Sequence, residues 1–152
     1  MNKKNPPKFI ADCHLGKLAK YLRVMGFDTL FFSTIDDNDL IELANREGRV
    51  ILTRDRILHE RQNAPTFYLN SIDNLEQLQA LQVEYNIKEY SLGSRCIVCN
   101  TPLESIEKSK IESQIPPKVK KYFLEFEICN KCDRIYWQGD HYKRMMLTIN
   151  AI

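Results

Sequence analysis

The cysteines are the residues whose spacing points most directly to chemistry. Four of the five form two C-x-x-C pairs, Cys96 with Cys99 and Cys129 with Cys132. Two intervening residues let a tight turn direct both thiolates of a pair at one ion, and two pairs complete a tetrahedral shell of four sulfurs. The pattern predicts a zinc ribbon with a structural Zn²⁺ ion, and its long intervening segment should bulge outward. Two redox dithiols or a single iron are the alternatives.

The fifth cysteine, Cys13, and a histidine, His141, could add to this chemistry. Cys13 precedes His14, but neighbours along a strand point to opposite faces, so the two make a poor catalytic dyad. We expect Cys13 to be a buried, small apolar residue. We expect His141 to be an ordinary surface or packing histidine, because four sulfurs already complete the metal shell.

Aspartates follow three predicted strands at the point where each strand ends. Asp12 follows the first strand, Asp37 lies after the second at the start of a helix, and Asp55 follows the third within the motif LTRD. The carboxyl ends of parallel strands meet at one edge of a sheet, where open α/β sheets place their ligand sites. The sequence therefore predicts a cluster of carboxylates at this edge.

Clustered carboxylates repel one another unless a proton or a cation lies between them. Mg²⁺ and Mn²⁺ prefer oxygen ligands, and such a site can activate water and neutralise charge on a phosphoryl transition state. The placement of Asp12, Asp37 and Asp55 therefore favours a metal-dependent phosphodiesterase or phosphatase. The alternative is that aspartates after strands cap helices or form turns, which we favour for Asp36 and Asp39 taken alone.

The elements that must position these aspartates alternate between strand and helix. Apolar residues three and four apart predict helices, and β-branched or continuous apolar runs predict strands. The order βαβαβαβα is typical of a parallel sheet flanked by helices. Leu75, Leu78, Leu81 and Val83 mark the fourth helix. The predicted strands are Lys8–Ala11, Asp28–Phe32, Val50–Thr53 and Thr66–Leu69, and the predicted helices begin near Leu15, Asp36, Asp55 and Leu75.

The chain divides at a polar, aperiodic segment over residues 86–95. We predict an α/β domain over residues 1–90 and a zinc ribbon domain over 91–152, which is too small to bury much apolar surface without a metal. Lys and Arg number 22 against 20 Asp and Glu, and the net charge of +2 is too small to predict a polyanionic partner. The start, MNKKNPPKF, leads into no apolar stretch, so we expect no secretory signal, no membrane association and a cytoplasmic location.

Several motifs carry a resemblance to a known family. They are DCHLGKLAKYLRVMGFD at 12–28, DNDLIELA at 37–44, GRVILTRDRIL at 48–58 and YWQGDH at 136–141. In this order they resemble the PIN-like ribonuclease domain with a fused four-cysteine ribbon that was first noted at the C-terminus of a mutator-class exonuclease. The resemblance covers about residues 8–147.

The resemblance implies a PIN-like nuclease fold with a divalent-metal site of acidic residues. Asp12, Asp37 and Asp55 match the acids of that family's motifs and are the implied catalytic residues. Asp39 is a possible supplementary acid. PIN nucleases carry a further acid late in the domain, for which Asp73 is the nearest candidate here.

An RNA substrate needs cations for its phosphates. Lys17, Lys20 and Arg23 lie at three-residue steps on the first helix, and Arg54 and Arg56 flank the third aspartate. We expect Arg54 or Arg23 to help stabilise the charge that develops in the transition state, and Lys17, Lys20 and Arg56 to bind the substrate. For the lysines, a solvated helix face is the alternative.

The ribbon combines basic with aromatic residues, which suits single-stranded RNA because aromatic rings stack on any base. Tyr136 and Trp137 could instead form the ribbon's own small core, which we expect of Trp137. The residues concerned are Lys118, Lys120, Lys121, Arg134, Lys143 and Arg144 with Tyr122, Tyr136, Trp137 and Tyr142.

These observations predict a ribonuclease that depends on a divalent metal, with structural Zn²⁺, catalytic Mg²⁺ or Mn²⁺, and single-stranded RNA as its partner. One alternative is a non-catalytic RNA- or protein-binding module on the same scaffold. Another is a signalling domain that accepts a phosphoryl group on Asp55. The signalling domain is disfavoured because no lysine stands in a clear fifth strand and the ribbon would have no role.

Overall fold

The computed structural model describes residues 5–152, so the basic residues 1–4 considered for a secretory signal lie outside it. None of the helices in this part is long and apolar enough to cross a membrane. The α/β part contains β1 (Lys8–Ala11), α1 (Gly16–Val24), β2 (Thr29–Phe31), α2 (Asp37–Glu47), β3 (Arg49–Thr53), α3 (Arg56–Glu60), β4 (Thr66–Tyr68) and α4 (Asn74–Tyr85). The remainder contains β5 (Glu104–Ile106), α5 (Pro117–Tyr122), β6 (Phe126–Ile128), β7 (Ile135–Tyr136) and α6 (Asp140–Asn150).

The first four strands form one parallel sheet in the order β2-β1-β3-β4. Ala11 pairs with Phe31 on one side and with Leu52 on the other, so the three strands end at the same level. The predicted α/β fold with a parallel sheet is confirmed. Its carboxyl edge is the edge at which the predicted aspartates follow their strands.

Both faces of the sheet are covered by helices. Phe9 and Ala11 belong to a core with the apolar residues of α1 and α4, whereas Ile10 belongs to a second core with α2 and α3. This alternation explains why the strands are nearly continuous apolar runs. The fourth helix is present as α4, but Val83 does not lie on its buried face: its side chain is 88% exposed, because α4 buries Gln77, Leu78 and Leu81.

Helix ends follow local chemistry. Asp36 caps α2, and Gly48 ends it with a φ of 67°. Gly26 follows α1 with a φ of 94°, and a Cβ there would lie 2.4 Å from the Cβ of Leu92. Only glycine combines this backbone conformation with so close an approach. The chain leaving α1 is therefore pressed against the segment that leads to the cysteines.

The ribbon has its own antiparallel sheet, β5-β6-β7, and its own small core. Ile111, Ile115 and Phe126 form this core, and Trp137 packs against it as predicted. The predicted outward segment between the cysteine pairs thus folds into β5, short turns and α5.

Helix α6 was not predicted. Its Met145 and Ile149 pack into the same core as Phe9 and Leu18 of the α/β part. Residues on both sides of the predicted boundary near residue 90 therefore share one core, and the assignment of domains 1–90 and 91–152 stays a prediction.

Candidate functional site

Asp12 is the most buried of the predicted catalytic acids, with 6% of its surface exposed. Its Oδ1 accepts a hydrogen bond from the backbone N–H of His14 at 3.0 Å. Its Oδ2 accepts from the Thr53 hydroxyl at 2.5 Å and from the backbone N–H of Arg54 at 3.3 Å. A buried carboxylate requires such donors, because burial without them costs several kcal/mol. The three bonds hold Asp12 in one orientation.

Thr53 connects Asp12 to Asp55. Its hydroxyl, which donates to Asp12, also accepts a hydrogen bond from the backbone N–H of Asp55 at 2.9 Å. The exposed Asp55 caps α3, because its Oδ1 accepts from the backbone N–H groups of Ile57 at 2.9 Å and Leu58 at 3.3 Å. Sequence reasoning missed Thr53. The available signal was a hydroxyl at the end of an apolar run, directly before the R-D pair.

The acids after β2 lie at the start of α2. Asp36 caps the helix through the backbone N–H of Asn38 at 3.1 Å, as favoured from the sequence. Asp37 and Asp39 occupy the first turn and are exposed. Acids there are stabilised by the helix dipole, which is sufficient to explain their presence. A metal-binding role for Asp37 and Asp39 stays a prediction.

The carboxylates do not form a compact cluster. Within residues 5–152, the cysteine quartet is the one group of three or more metal-binding side chains whose ligand atoms lie within 4.8 Å of one another. Asp12, Asp37 and Asp55 share the carboxyl edge, but their carboxylate oxygens do not all lie within 4.8 Å of one another. Asp12 is fixed by its three donors and Asp55 by its cap, so joint binding of one cation requires side-chain rotation, above all of the exposed Asp37.

The predicted cations differ in their surroundings. Lys17 and Lys20 are exposed on α1. The Arg56 guanidinium lies 5.7 Å from the ring centroid of Tyr68, within the range of a cation–π interaction. The Nε of Arg54 is buried and has no hydrogen-bond partner in the described part of the chain. A buried, unpaired donor is costly, so an acceptor oxygen brought to Arg54 would be stabilised there.

Arg23 does not reach the carboxyl edge. Its Nε donates to the carbonyl oxygen of Thr29 and its Nη1 to that of Ile97, both at 2.8 Å. Thr29 pairs with Phe9, near the start of β1, whereas Asp12 follows the end of that strand. Burial lowers the pKa of Arg23, although nearby acidic groups oppose the shift. The structure thus brings Arg23 to the junction between the sheet and the cysteine segment.

The four cysteines come together as predicted. The Sγ atoms of Cys96 and Cys132 lie 3.7 Å apart. Four sulfurs bound tetrahedrally at about 2.3 Å from one zinc ion lie about 3.8 Å from each other, whereas a disulfide requires about 2.05 Å. The quartet can therefore hold a metal such as zinc. Cys13 lies outside it, and the prediction that Cys13 is buried is wrong: the turn after β1 leaves it exposed. His141 is exposed as expected.

Neighbouring side chains tune the thiols. A hydrogen bond from Arg134 lowers the pKa of Cys132 to about 6. The hydrogen bond with Cys132 and the adjacent thiols raise the pKa of Cys99. The hydroxyl of Tyr136 lies 3.0 Å from the Sγ of Cys96, and burial followed by this contact raises the pKa of Tyr136, which keeps the hydroxyl protonated. These contacts supply donors to sulfurs that carry negative charge when they bind a metal.

A parallel α/β sheet with acids beyond its strand ends, followed by a ribbon with four clustered cysteines, defines an α/β domain fused to a module that could hold a metal. The family model of the Mut7-C RNAse domain matches residues 7–149. The chain therefore belongs to the Mut7-C RNase domain family, which confirms the predicted resemblance and supports a ribonuclease-type function. Comparisons with curated proteins and with solved structures find no match.

Proposed function

We propose that this protein is a divalent-metal-dependent ribonuclease that hydrolyses RNA phosphodiester bonds at the carboxyl edge of its parallel sheet. The observation that carries the proposal is the linkage of Asp12 to Asp55 through the buried Thr53. Three donors fix the orientation of the Asp12 carboxylate. The Asp12 carboxylate lies at the edge where open α/β sheets bind ligands, which is where an RNase would need a group to bind a catalytic cation.

The donor set fits a hard cation. Asp12, Asp37 and Asp55 offer only carboxylate oxygens, which Mg²⁺ and Mn²⁺ prefer, and these three residues would hold the ion. When bound, the cation would activate water and offset charge on the reacting phosphate. Asp39 is the nearest supplementary acid on α2.

Residues of the chain would hold the substrate. Arg54 follows Thr53 directly, and the phosphate can supply the acceptor that its buried Nε lacks in the described part of the chain. Arg56 is held over Tyr68 in the first turn of α3, next to Asp55. The exposed Lys17 and Lys20 would contact phosphates farther along the strand.

The ribbon would contribute a structural Zn²⁺ site and contacts to single-stranded RNA. Tyr122 on α5 is 69% exposed, and the Nζ of Lys121 lies 5.3 Å from its ring centroid. An exposed ring beside a cation suits a stacked base with its phosphate.

A cleavage assay on single-stranded RNA, with and without chelator, tests the proposal. Asp12→Asn and Asp55→Asn are expected to reduce the cleavage rate by about 10²–10³-fold, because each loses a charge that acts on the transition state. Asn still caps helices, so Asp55→Asn should leave α3 intact. The matched control is Asp36→Asn, which removes the same charge from a cap on the same edge and should retain activity.

Metal-dependent hydrolysis at this site would be refuted if the wild-type protein still cleaved RNA in the presence of chelator and the Asp12→Asn variant cleaved RNA at the wild-type rate. RNA binding without any cleavage by the wild-type protein would instead establish the non-catalytic binding module.

A further inference from the structure

A cavity of about 720 Å³ is lined mainly by the ribbon, together with Val24 at the end of α1, and by none of the predicted catalytic residues. It is bounded by one face of the ribbon sheet, by residues 94–97 and by the start of α6. On the sheet face, Glu127 pairs with Ser105 on one side and with Tyr136 on the other. The volume lies within the range of small-molecule sites, which is about 300–1,000 Å³.

Aromatic side chains form much of the wall. Tyr136, Trp137 and Tyr142 all line the cavity, and each is only partly buried. The indole of Trp137 lies against Gly139, where a Cβ would come within 2.8 Å of its Nε1. Flat rings of this kind bind the faces of nucleobases by stacking, at about 1–3 kcal/mol per base.

The charged groups of the lining are mostly acidic. Glu125, Glu127 and Asp140 contribute three carboxylates against the guanidinium of Arg95, so the lining carries a formal charge of −2 with His141 neutral. Arg95 is already engaged, because its Nε donates to the carbonyl oxygen of Gly26 and its Nη1 to that of Asn100.

These carboxylates have no cationic partner within the described residues. The ion pairs found there join Arg49 to Asp28 and Glu47, and Lys120 to Glu112. Such a cavity repels phosphate and favours a flat ligand that donates hydrogen bonds.

We propose that this cavity binds a nucleobase with an exocyclic amino group, in single-stranded RNA whose phosphates remain outside. The ring stacks on the aromatic wall, and a carboxylate such as that of Glu127 accepts from the amino group. Carboxylates accept in this way from the N4 amino group of cytosine, whereas uracil presents a carbonyl oxygen at the same position and is repelled. This inference rests on the proposed function, since it assigns a preference to the RNA substrate.

Trp137, the only tryptophan of the chain, provides the test. Cytidine and uridine, which carry no phosphate, are titrated into the zinc-loaded full chain with Asp12→Asn, and tryptophan fluorescence is recorded. We expect saturable quenching by cytidine with a Kd at least about fivefold below that of uridine, the lower limit for one good base contact.

Two variants test whether Glu127 causes the preference for cytidine over uridine. Glu127→Gln should bring the ratio of the two Kd values close to one, because the amide no longer distinguishes donor from acceptor. Glu104→Gln removes the same charge from an exposed residue of the same sheet that does not line the cavity, and should keep the wild-type ratio.

Quenching by spermidine but by neither nucleoside would overturn the proposal in favour of an organic-cation site. Equal Kd values for cytidine and uridine would overturn it as well. Because binding is measured in the Asp12→Asn chain, the outcome does not depend on cleavage. A failure of the proposed nuclease function appears instead as wild-type protein that binds cytidine but cleaves no RNA.

Discussion

The two cysteine turns have the same local geometry and different surroundings. Asn100 follows the first pair with a φ of 65°, and Asp133 follows the second with a φ of 62°. In each turn this residue donates its backbone N–H to the carbonyl oxygen of the first cysteine, at 2.8 Å for Cys96 and 2.7 Å for Cys129. Asn and Asp tolerate this left-handed conformation better than most residues, which accounts for both positions.

Within residues 5–152, the first turn contacts the α/β sheet through the side chain of Asn100, and the second has no such side-chain contact. The Oδ1 of Asn100 accepts from the backbone N–H of Thr29 at 3.0 Å, and its Nδ2 donates to Asp28 at 2.7 Å. Asp133, in contrast, is exposed. Two turns of equal shape therefore differ in their contacts: both contribute cysteines to the quartet, and the first also contacts the sheet through its Asn100 side chain.

The contact with Thr29 protects an edge. β2 is an edge strand of the parallel sheet, and an uncovered edge strand presents unpaired backbone groups. Asn100 satisfies the N–H of Thr29, while Arg23 satisfies its carbonyl oxygen and also binds Ile97. The first cysteine turn thus completes the fold of the α/β part, so we expect disruption of the cysteine quartet to destabilise both regions.

The largest expected effect is that of disrupting the metal site through the first turn. Cys96→Ser removes a fully buried ligand and should lower the unfolding free energy by more than about 3 kcal/mol, since structural zinc contributes strongly to folding. Because the first turn also covers β2, we expect the whole chain to unfold in one transition at a lower Tm. Circular dichroism melting beside zinc analysis measures this.

Cys13→Ser is the matched control for Cys96→Ser. Cys13 is exposed and lies outside the quartet, so its replacement should leave both zinc content and Tm unchanged. If Cys96→Ser loses zinc while the α/β part melts at the wild-type temperature, the two regions are independent.

The next largest expected effect on stability comes from exchanging Asn and Asp at position 100, which follows the first cysteine pair, with position 133 after the second pair as its control. Asn100→Asp replaces the amide that donates to Asp28 with a carboxylate, which places two negative charges in contact. We expect a loss of about 2–3 kcal/mol in unfolding free energy, measured by urea denaturation of zinc-loaded protein.

The reverse exchange, Asp133→Asn, is the control. Asn adopts the left-handed conformation as readily as Asp, and the side chain of Asp133 is exposed, so the change should stay within about 0.5 kcal/mol. Equal losses of unfolding free energy for Asn100→Asp and Asp133→Asn would mean that the hydrogen bond from Asn100 to Asp28 contributes nothing to stability.

The sequence predicted what depends on local pattern. Apolar runs and glycines gave the strands and helix ends, and C-x-x-C spacing gave the quartet. Arg23 shows the limit, because it shares the three-residue steps of Lys17 and Lys20 but is buried by a partner segment about 70 residues away in the chain. Helical periodicity carries no information on such a contact. For the same reason, the role of Thr53 became visible only when Asp12 and Asp55 were seen beside it.

The smallest expected effect depends on pH and concerns the same contact between Asn100 and Asp28, this time through a substitution of Asp28. Burial acts to raise the pKa of Asp28, but hydrogen bonds from Arg49 and Asn100 outweigh it, so the net shift is downward from 3.8. A carboxyl group whose pKa is lower in the folded state stabilises the protein above its unfolded pKa, and this stability is lost as the pH falls through the folded value.

Asp28→Asn keeps an acceptor oxygen for both donors but removes the charge. Urea denaturation should therefore show a cost of about 1 kcal/mol at pH 7 that shrinks below about pH 4. The absence of any cost, at pH 7 as at low pH, would show that an acceptor oxygen at position 28 is sufficient and that the charge of Asp28 does not contribute to the contact between the first cysteine turn and the sheet.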